Sequence, residues 1–229
     1  MVATNRVHMR LANGSIISEV TFNGINRILT IVTGSPHIVR NWINTTRRFN
    51  TPSASSGQPQ VVGLEVSCVP DGKIVLLQLC VGGRCLIYRF QRPLEPLLQL
   101  CVGGRCLIYK FQRPLEPCGE LLAFLDNSQF CFVGYGMEQV TYGLQREHGF
   151  SVRNTADLGD MAASKLGRED LRRAGLERLA REVMRVEIEE PAEVWTSNWR
   201  RRDLSDEQIA YACAKAFVAS KLGQRLLDC

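Results

Sequence analysis

The residues best placed to do chemistry lie in Val61-Val62-Gly63-Leu64-Glu65-Val66-Ser67-Cys68, a short apolar run holding one acid and one hydroxyl. Its valines, its length and the turn Pro70-Asp71-Gly72 behind it predict a buried strand. Alternation along a strand puts Glu65 and Ser67 on one face. A carboxylate in such a run is costly to bury without a partner, so Glu65 belongs at the strand end or faces a polar cleft. An ordinary edge-strand acid facing water is the simpler reading, and the strand taken alone favours it.

Other candidates carry simpler explanations. Arg200-Arg201-Arg202 beside Trp199 could contact phosphates, with the indole stacking on a base; a solvated loop whose Trp199 plugs the core accounts for them too. The arginines at 168, 172, 173, 178, 181 and 185 alternate with acids and read as solvated helix faces. His148 stands at a predicted helix end and reads as a C-terminal cap rather than a base. The spacings Cys80/Cys85 and Cys101/Cys106 admit a four-thiolate zinc site. Duplication explains them without any ligand requirement. No Ser-His-Asp, Walker, Rossmann or zinc-finger pattern is present.

The elements that must position these residues follow from the chain in order. Arg6 to Thr21 predicts two strands about Asn13-Gly14, a pair that tolerates positive φ. Ile28–Val32 predicts a third strand. Ser35-Pro36 then opens a helix through Val39, Trp42 and Ile43. A polar linker, 49–60, leads into the Val61 strand. Residues 114–127 predict a helix, 130–136 a strand and Met137 to His148 a helix. Asp157-Leu158 opens another helix through Leu166. Ala174 to Val186 is amphipathic, 191–202 reads as a loop, and Ser205 to Gln208 caps a last helix to about Leu227.

The oddest feature is a repeat. Residues 76–96 and 97–117 are identical except for Arg89 against Lys110. Each copy is an apolar run, a Gly-Gly turn and a second apolar run, which predicts a β-hairpin. Two copies do not make a solenoid. One copy must fill the sheet position, and the other extends the sheet edge or hangs off it, where an apolar edge invites association.

Composition bounds the rest. The chain has 229 residues, 45% hydrophobic and 22% charged, with net charge +5, as expected of a globular α/β protein. The mild positive charge permits nucleic-acid binding without arguing for it. No apolar run approaches the roughly 20 residues of a membrane span, and no secretory leader is evident at Met1–Asn13. The nine cysteines sit mostly in apolar runs and suit buried thiols in a reducing compartment, nucleus or cytoplasm.

The order VVGLEV, LLQLCVGGRCLIY, LLAFLDNSQFCFVGYGM, DLGDMAASKLG, AGLERLAREVM, NWRRRDLSDEQIAYACAKAF resembles the 3'-5' exonuclease domain of the DEDDy group. The likeness is greatest to the small plant proteins similar to the Werner syndrome exonuclease. It covers roughly residues 25–227. It implies an α/β, ribonuclease H-like fold with a mixed five-stranded sheet flanked by helices, here carrying the tandemly duplicated hairpin. Residues 1–24 would be an N-terminal β-hairpin extension and 25–229 the exonuclease-like domain.

The resemblance also implies phosphodiester hydrolysis by two Mg2+ or Mn2+ ions about 4 Å apart. Its ligands are Asp-x-Glu on the first core strand, an aspartate on the helix after the fourth strand, and Tyr-x-x-x-Asp on the last helix. The matching positions here read Glu65-Val66-Ser67, Val140, and Tyr211 with Lys215. Tyr211 is kept, Glu65 is a longer acid, and three carboxylates have become Ser67, Val140 and Lys215. Tyr211 and Lys215 are four apart and share a helix face. Glu138 is two residues from Val140 and faces elsewhere. No metal is therefore expected, and Lys215 is expected to pair with Glu65 in place of metal charge.

Three function classes follow. The first is a catalytically disabled nuclease homologue that keeps a groove for single-stranded or 3'-ended nucleic acid. The second is a protein-interaction subunit, forming a homo- or hetero-oligomer through the hairpin edge. The third is a working metal-dependent exonuclease with an atypical site, which the motif residues argue against.

Overall fold

The computed structural model describes residues 3–12, 14–33, 35–49, 59–68, 73–82, 84–89, 97–102, 105–110, 119–199 and 204–227, with the backbone alone at 49, 67, 68, 75, 76, 86, 88 and 89 and between 97 and 110. Its first strands are β1 (Ala3–Arg10), β2 (Ile16–Phe22) and β3 (Asn26–Val32), an antiparallel meander. Alternate residues of β2, Ile16 to Phe22, face inward and are buried, the period-two pattern of a sheet with one buried face. The β2–β3 turn is a second Asn-Gly pair: Asn23 and Gly24 both take positive φ, at 58° and 70°, as a tight hairpin turn demands. Helix α1 (Pro36–Phe49) follows, its first turn set by Pro36, and buries Val39, Trp42 and Ile43.

The sheet is built around β4 (Gln60–Cys68). It pairs antiparallel with β5 (Ile74–Val81) and parallel with β9 (Phe130–Gly134). β5 turns back into β6 (Arg84–Arg89), and β10 (Thr155–Asp157) lies parallel to β9. The order β6-β5-β4-β9-β10 is the expected mixed five-stranded sheet, and the whole assembly reaches ten strands. Strand β4 is buried on both faces from Val61 to Glu65 and has a hydrogen-bonded neighbour on each side, so the edge-strand reading of Glu65 fails. The three-residue strand β10 had no distinct signal in the sequence.

The first hairpin copy is the one seated on β4. The second copy forms β7 (Leu97–Val102) and β8 (Arg105–Lys110). It does not extend the sheet edge. β8 lies between β6 and β3, and β7 pairs with β8.

Helices α2 (Gly119–Leu125), α3 (Met137–His148), α4 (Leu158–Leu166), α5 (Leu176–Leu179), α6 (Ala192–Trp195) and α7 (Asp206–Leu227) cover the sheet. Phe124 of α2 meets Trp42, Phe130 and Phe132 with ring centroids 4.6–6.0 Å apart. The stretch expected as one helix over 174–186 is α5 followed by a π turn, Ala180–Met184, that closes at Arg185 with φ +59°. The predicted loop over 191–202 contains the short α6. Helix α7 crosses β4 at close range: a Cβ on Gly63 would stand 2.2 Å from the Ala216 carbonyl oxygen. Only glycine permits that approach.

Among the described cysteines, Cys80, Cys131 and Cys213 are buried thiols. Cys85, by contrast, is disulfide-bonded. No described helix is long and apolar enough to cross a membrane.

Candidate active site

Two elements bring motif positions together, β4 with Glu65 and α7 with Tyr211 and Lys215, and the end of β9 reaches them through Tyr135. Glu65 lies on β4 with 6% of its surface exposed. One carboxylate oxygen accepts the Tyr135 backbone N–H, while Oε1 has no hydrogen-bond partner. Burial pushes the Glu65 carboxyl up to about 7, against the attraction of Lys215 and the Tyr135 N–H. The tight turn after β9 makes this possible. A Cβ at Gly134 would stand 2.1 Å from the Leu64 carbonyl oxygen, and Gly136 takes φ +66° before α3. Glycine at both points lets the Tyr135 amide reach Glu65.

Tyr211 and Lys215 share one face of α7, as their spacing predicts. The Lys215 ammonium sits over the Tyr211 ring, 5.7 Å from its centroid. Its ion pair corrects the expectation: Lys215 Nζ lies 3.1 Å from Glu190 Oε1, and no ion pair joins it to Glu65. Lys215 acts on Glu65 through its field. Burial disfavours the ammonium, yet Glu65, Tyr211 and Glu190 together hold its pKa above the ordinary lysine range. Burial also pushes the Tyr211 phenol up to about 12, and Glu190 is its hydrogen-bond partner. Glu190 thus anchors both side chains. Sequence reading missed it; its signal was the acid run Glu187-Ile188-Glu189-Glu190 ahead of Pro191.

The remaining positions separate cleanly. Val140 is 8% exposed and joins the hydrophobic core, whereas Glu138 is exposed on another face of α3. Ser67 pairs through its backbone with Leu76; its side chain, like Arg200, Arg201 and Arg202, lies outside the described residues. Trp199 is buried, 6.0 Å from Tyr211 between ring centroids, and its Nε1 donates to the Trp195 carbonyl at 2.9 Å. It is a core plug and not a stacking platform. His148 is not a charged cap. Burial drops its pKa to about 4, and Gly149 in the left-handed conformation closes α3 instead. Arg168 and Arg172 form surface ion pairs with Glu182 at 2.7 Å and Glu169 at 2.9 Å.

Asp157 is a nearby acid that the sequence reading used only as a helix start. Its Oδ1 accepts the Gly159 N–H at 2.8 Å and its Oδ2 the Met137 N–H at 3.0 Å. One carboxylate therefore caps α4 and ties down the start of α3. Beside Tyr211 opens a cavity of about 300 Å³. Phe22, Ile188 and Val194 give it apolar walls, and Glu193 and Glu207 also line it.

Comparison with known proteins fits this geometry. The 3'-5' exonuclease family profile matches residues 82–228. A 3'-5' exonuclease of Arabidopsis thaliana is 28% identical over 104 residues, 45% of this chain and 35% of that protein. The chain thus spans about a third of that relative's length. Among solved structures, Escherichia coli RNase D superposes with a TM-score of 0.61 at 14% identity, over 88% of this chain and 44% of that one. Brucella melitensis NrnC gives 0.55 at 14% identity, over 77% and 76%; NrnC has also been solved bound to pGG and with Mg2+. By its sequence and its ribonuclease H-like sheet, the chain belongs to the 3'-5' exonuclease family.

Proposed function

We propose that the chain is a DEDDy-type, Werner-like member of this family that binds nucleic acid and does not hydrolyse it. The observation that carries the reading is the Lys215 ammonium, 3.1 Å from Glu190 and within the field of Glu65. An ammonium here takes the place of metal charge. Two divalent ions need several hard carboxylate oxygens converging on one spot. The donors present do not fit: Val140 offers no oxygen, Asp157 is committed to backbone N–H groups, and the Lys215 ammonium is held against Glu190 and in the field of Glu65. Among the described residues no group of three or more acids, histidines or cysteines could hold a metal.

On this reading these residues hold a polar site whose positive charge is an ammonium. Tyr211 and Lys215 are fixed by Glu190, and Glu65 is fixed by the Tyr135 amide. Nucleic-acid binding is supported by the family and by the fold shared with NrnC, which binds pGG. A second reading, a protein-interaction role, is favoured by the cavity beside Tyr211. Its glutamates repel phosphates and suit a cationic partner group.

Digestion of 3'-labelled DNA and RNA with Mg2+ or Mn2+ tests the proposal. The native chain should be silent, and the quadruple variant Glu65→Asp, Ser67→Glu, Val140→Asp, Lys215→Asp should gain activity. Metal-dependent digestion by the native chain that Glu65→Ala abolishes would overturn it. Weak, salt-insensitive binding of single strands would favour the protein partner, since phosphate contacts weaken steeply with salt.

A further inference from the structure

Strand β3 meets both hairpin copies in one register. Leu29 pairs with Arg105 and Thr30 with Cys106, in β8; the next rung, Ile31, pairs with Leu86, in β6. The repeat period is 21 residues, so Leu86 is the counterpart of Leu107, the residue that follows Cys106 in β8. The three rungs are those a single uninterrupted strand would make. β3 therefore treats β6 and β8 as the same partner.

We propose that the second hairpin is a resident replacement for the first: either copy can fill the single sheet position between β4 and β3. Near-identical sequences make near-identical contacts there. Leu77, Leu79, Cys80 and Ile87 of the first copy are fully buried, and 98, 100, 101 and 108 repeat them residue for residue. The cross-strand neighbour of Glu65 is Gln78, and its counterpart is Gln99, so replacement leaves the site strand unaltered.

With the Cys85 disulfide reduced, as the test below requires, the connections tolerate the exchange. With the first copy seated, 69–73 and 90–118 link the hairpin to β4 and α2; with the second seated, 69–96 and 111–118 do so. Closure entropy grows only with the logarithm of loop length, so these lengths shift the populations by about twofold. The larger bias comes from the residues ahead of each copy. Ile74 is 5% exposed, pairs with Cys68, and donates its N–H to Glu147 Oε2 at 3.1 Å. The corresponding residue ahead of the second copy is Glu95, whose carboxylate cannot take the buried place of the Ile74 side chain. Burying one isoleucine favours the first copy by roughly 10- to 100-fold. The first copy is the occupant and the second the reserve.

The test places a charge in one copy at a time, with the Cys85 disulfide reduced. Leu79→Asp in the full chain should leave a cooperatively melting monomer, with a folding constant lowered by roughly 10- to 100-fold. The same substitution in a chain lacking 97–117 should abolish cooperative folding. Leu100→Asp in the full chain should be silent, and the double variant should not fold. If Leu79→Asp unfolds the full chain as it does the single-copy chain, or folds it only as a dimer by light scattering, intrachain replacement is wrong. Loss of folding from Leu100→Asp alone would overturn it equally.

Discussion

Replacing Glu65 with glutamine should stabilise the protein at alkaline pH and leave it unchanged in acid. An unfolded glutamate titrates near 4.5, and burial in the folded chain raises Glu65 to about 7. Below pH 4.5 both states hold the proton. Between 4.5 and 7 the unfolded chain releases it and the folded chain retains it, so stability falls as pH rises through this window. Above 7 the loss is complete, and the shift corresponds to about 3 kcal/mol. Glutamine reproduces the protonated carboxyl in shape and charge. Urea midpoints of both chains from pH 4 to pH 8 measure the effect. The difference between them isolates Glu65, because His148 titrates alike in both. A variant less stable than the native chain at pH 8, or a difference that does not vary with pH, would refute the reasoning. The first result would mean that Glu65 is ionised and well paired in the folded state; the second, that folding leaves its pKa unshifted.

Three further outcomes follow from the same contacts. His148 has the opposite sign: its pKa falls from 6.5 to about 4, so its stabilisation is present above 6.5 and is lost as pH drops through 4. His148→Gln should remove about 3 kcal/mol of that acid-limb slope in urea titrations. Gly63→Ala drives a methyl into the Ala216 carbonyl and the Ser220 amide; it should cost about 3 kcal/mol or more by thermal denaturation, since backbone atoms cannot move aside. Asp157→Ala should cost about 1–2 kcal/mol, with faster amide exchange at Gly159 and Met137, whose N–H groups it caps.

The five-strand order was legible because each core strand carries a strong apolar run between breakers, and the order of those runs matches the family. Glycines 63 and 134 did not announce their role, because a close approach depends on the partner element and not on local pattern. Glu65, Tyr211 and Lys215 could be placed from their motif spacing. The ion pair could not, because Glu190 comes from an irregular segment whose direction no periodicity sets. The same limit hid the π turn at Ala180–Met184, which ends a pattern that reads as an ordinary amphipathic helix. The repeat predicted that one hairpin copy fills the sheet position; that β3 pairs with both copies was not legible, because register depends on the partner strand.

The central claim is that an ammonium, not a pair of metal ions, holds this site. Titration of the native chain and the quadruple variant with Mn2+ at pH 8, followed by electron paramagnetic resonance of the free ion, tests it most directly. The account predicts no stoichiometric binding to the native chain and two ions per chain in the variant. Two ions bound by the native chain in the micromolar range, displaced by Lys215→Arg and unaffected by mutation elsewhere, would contradict it.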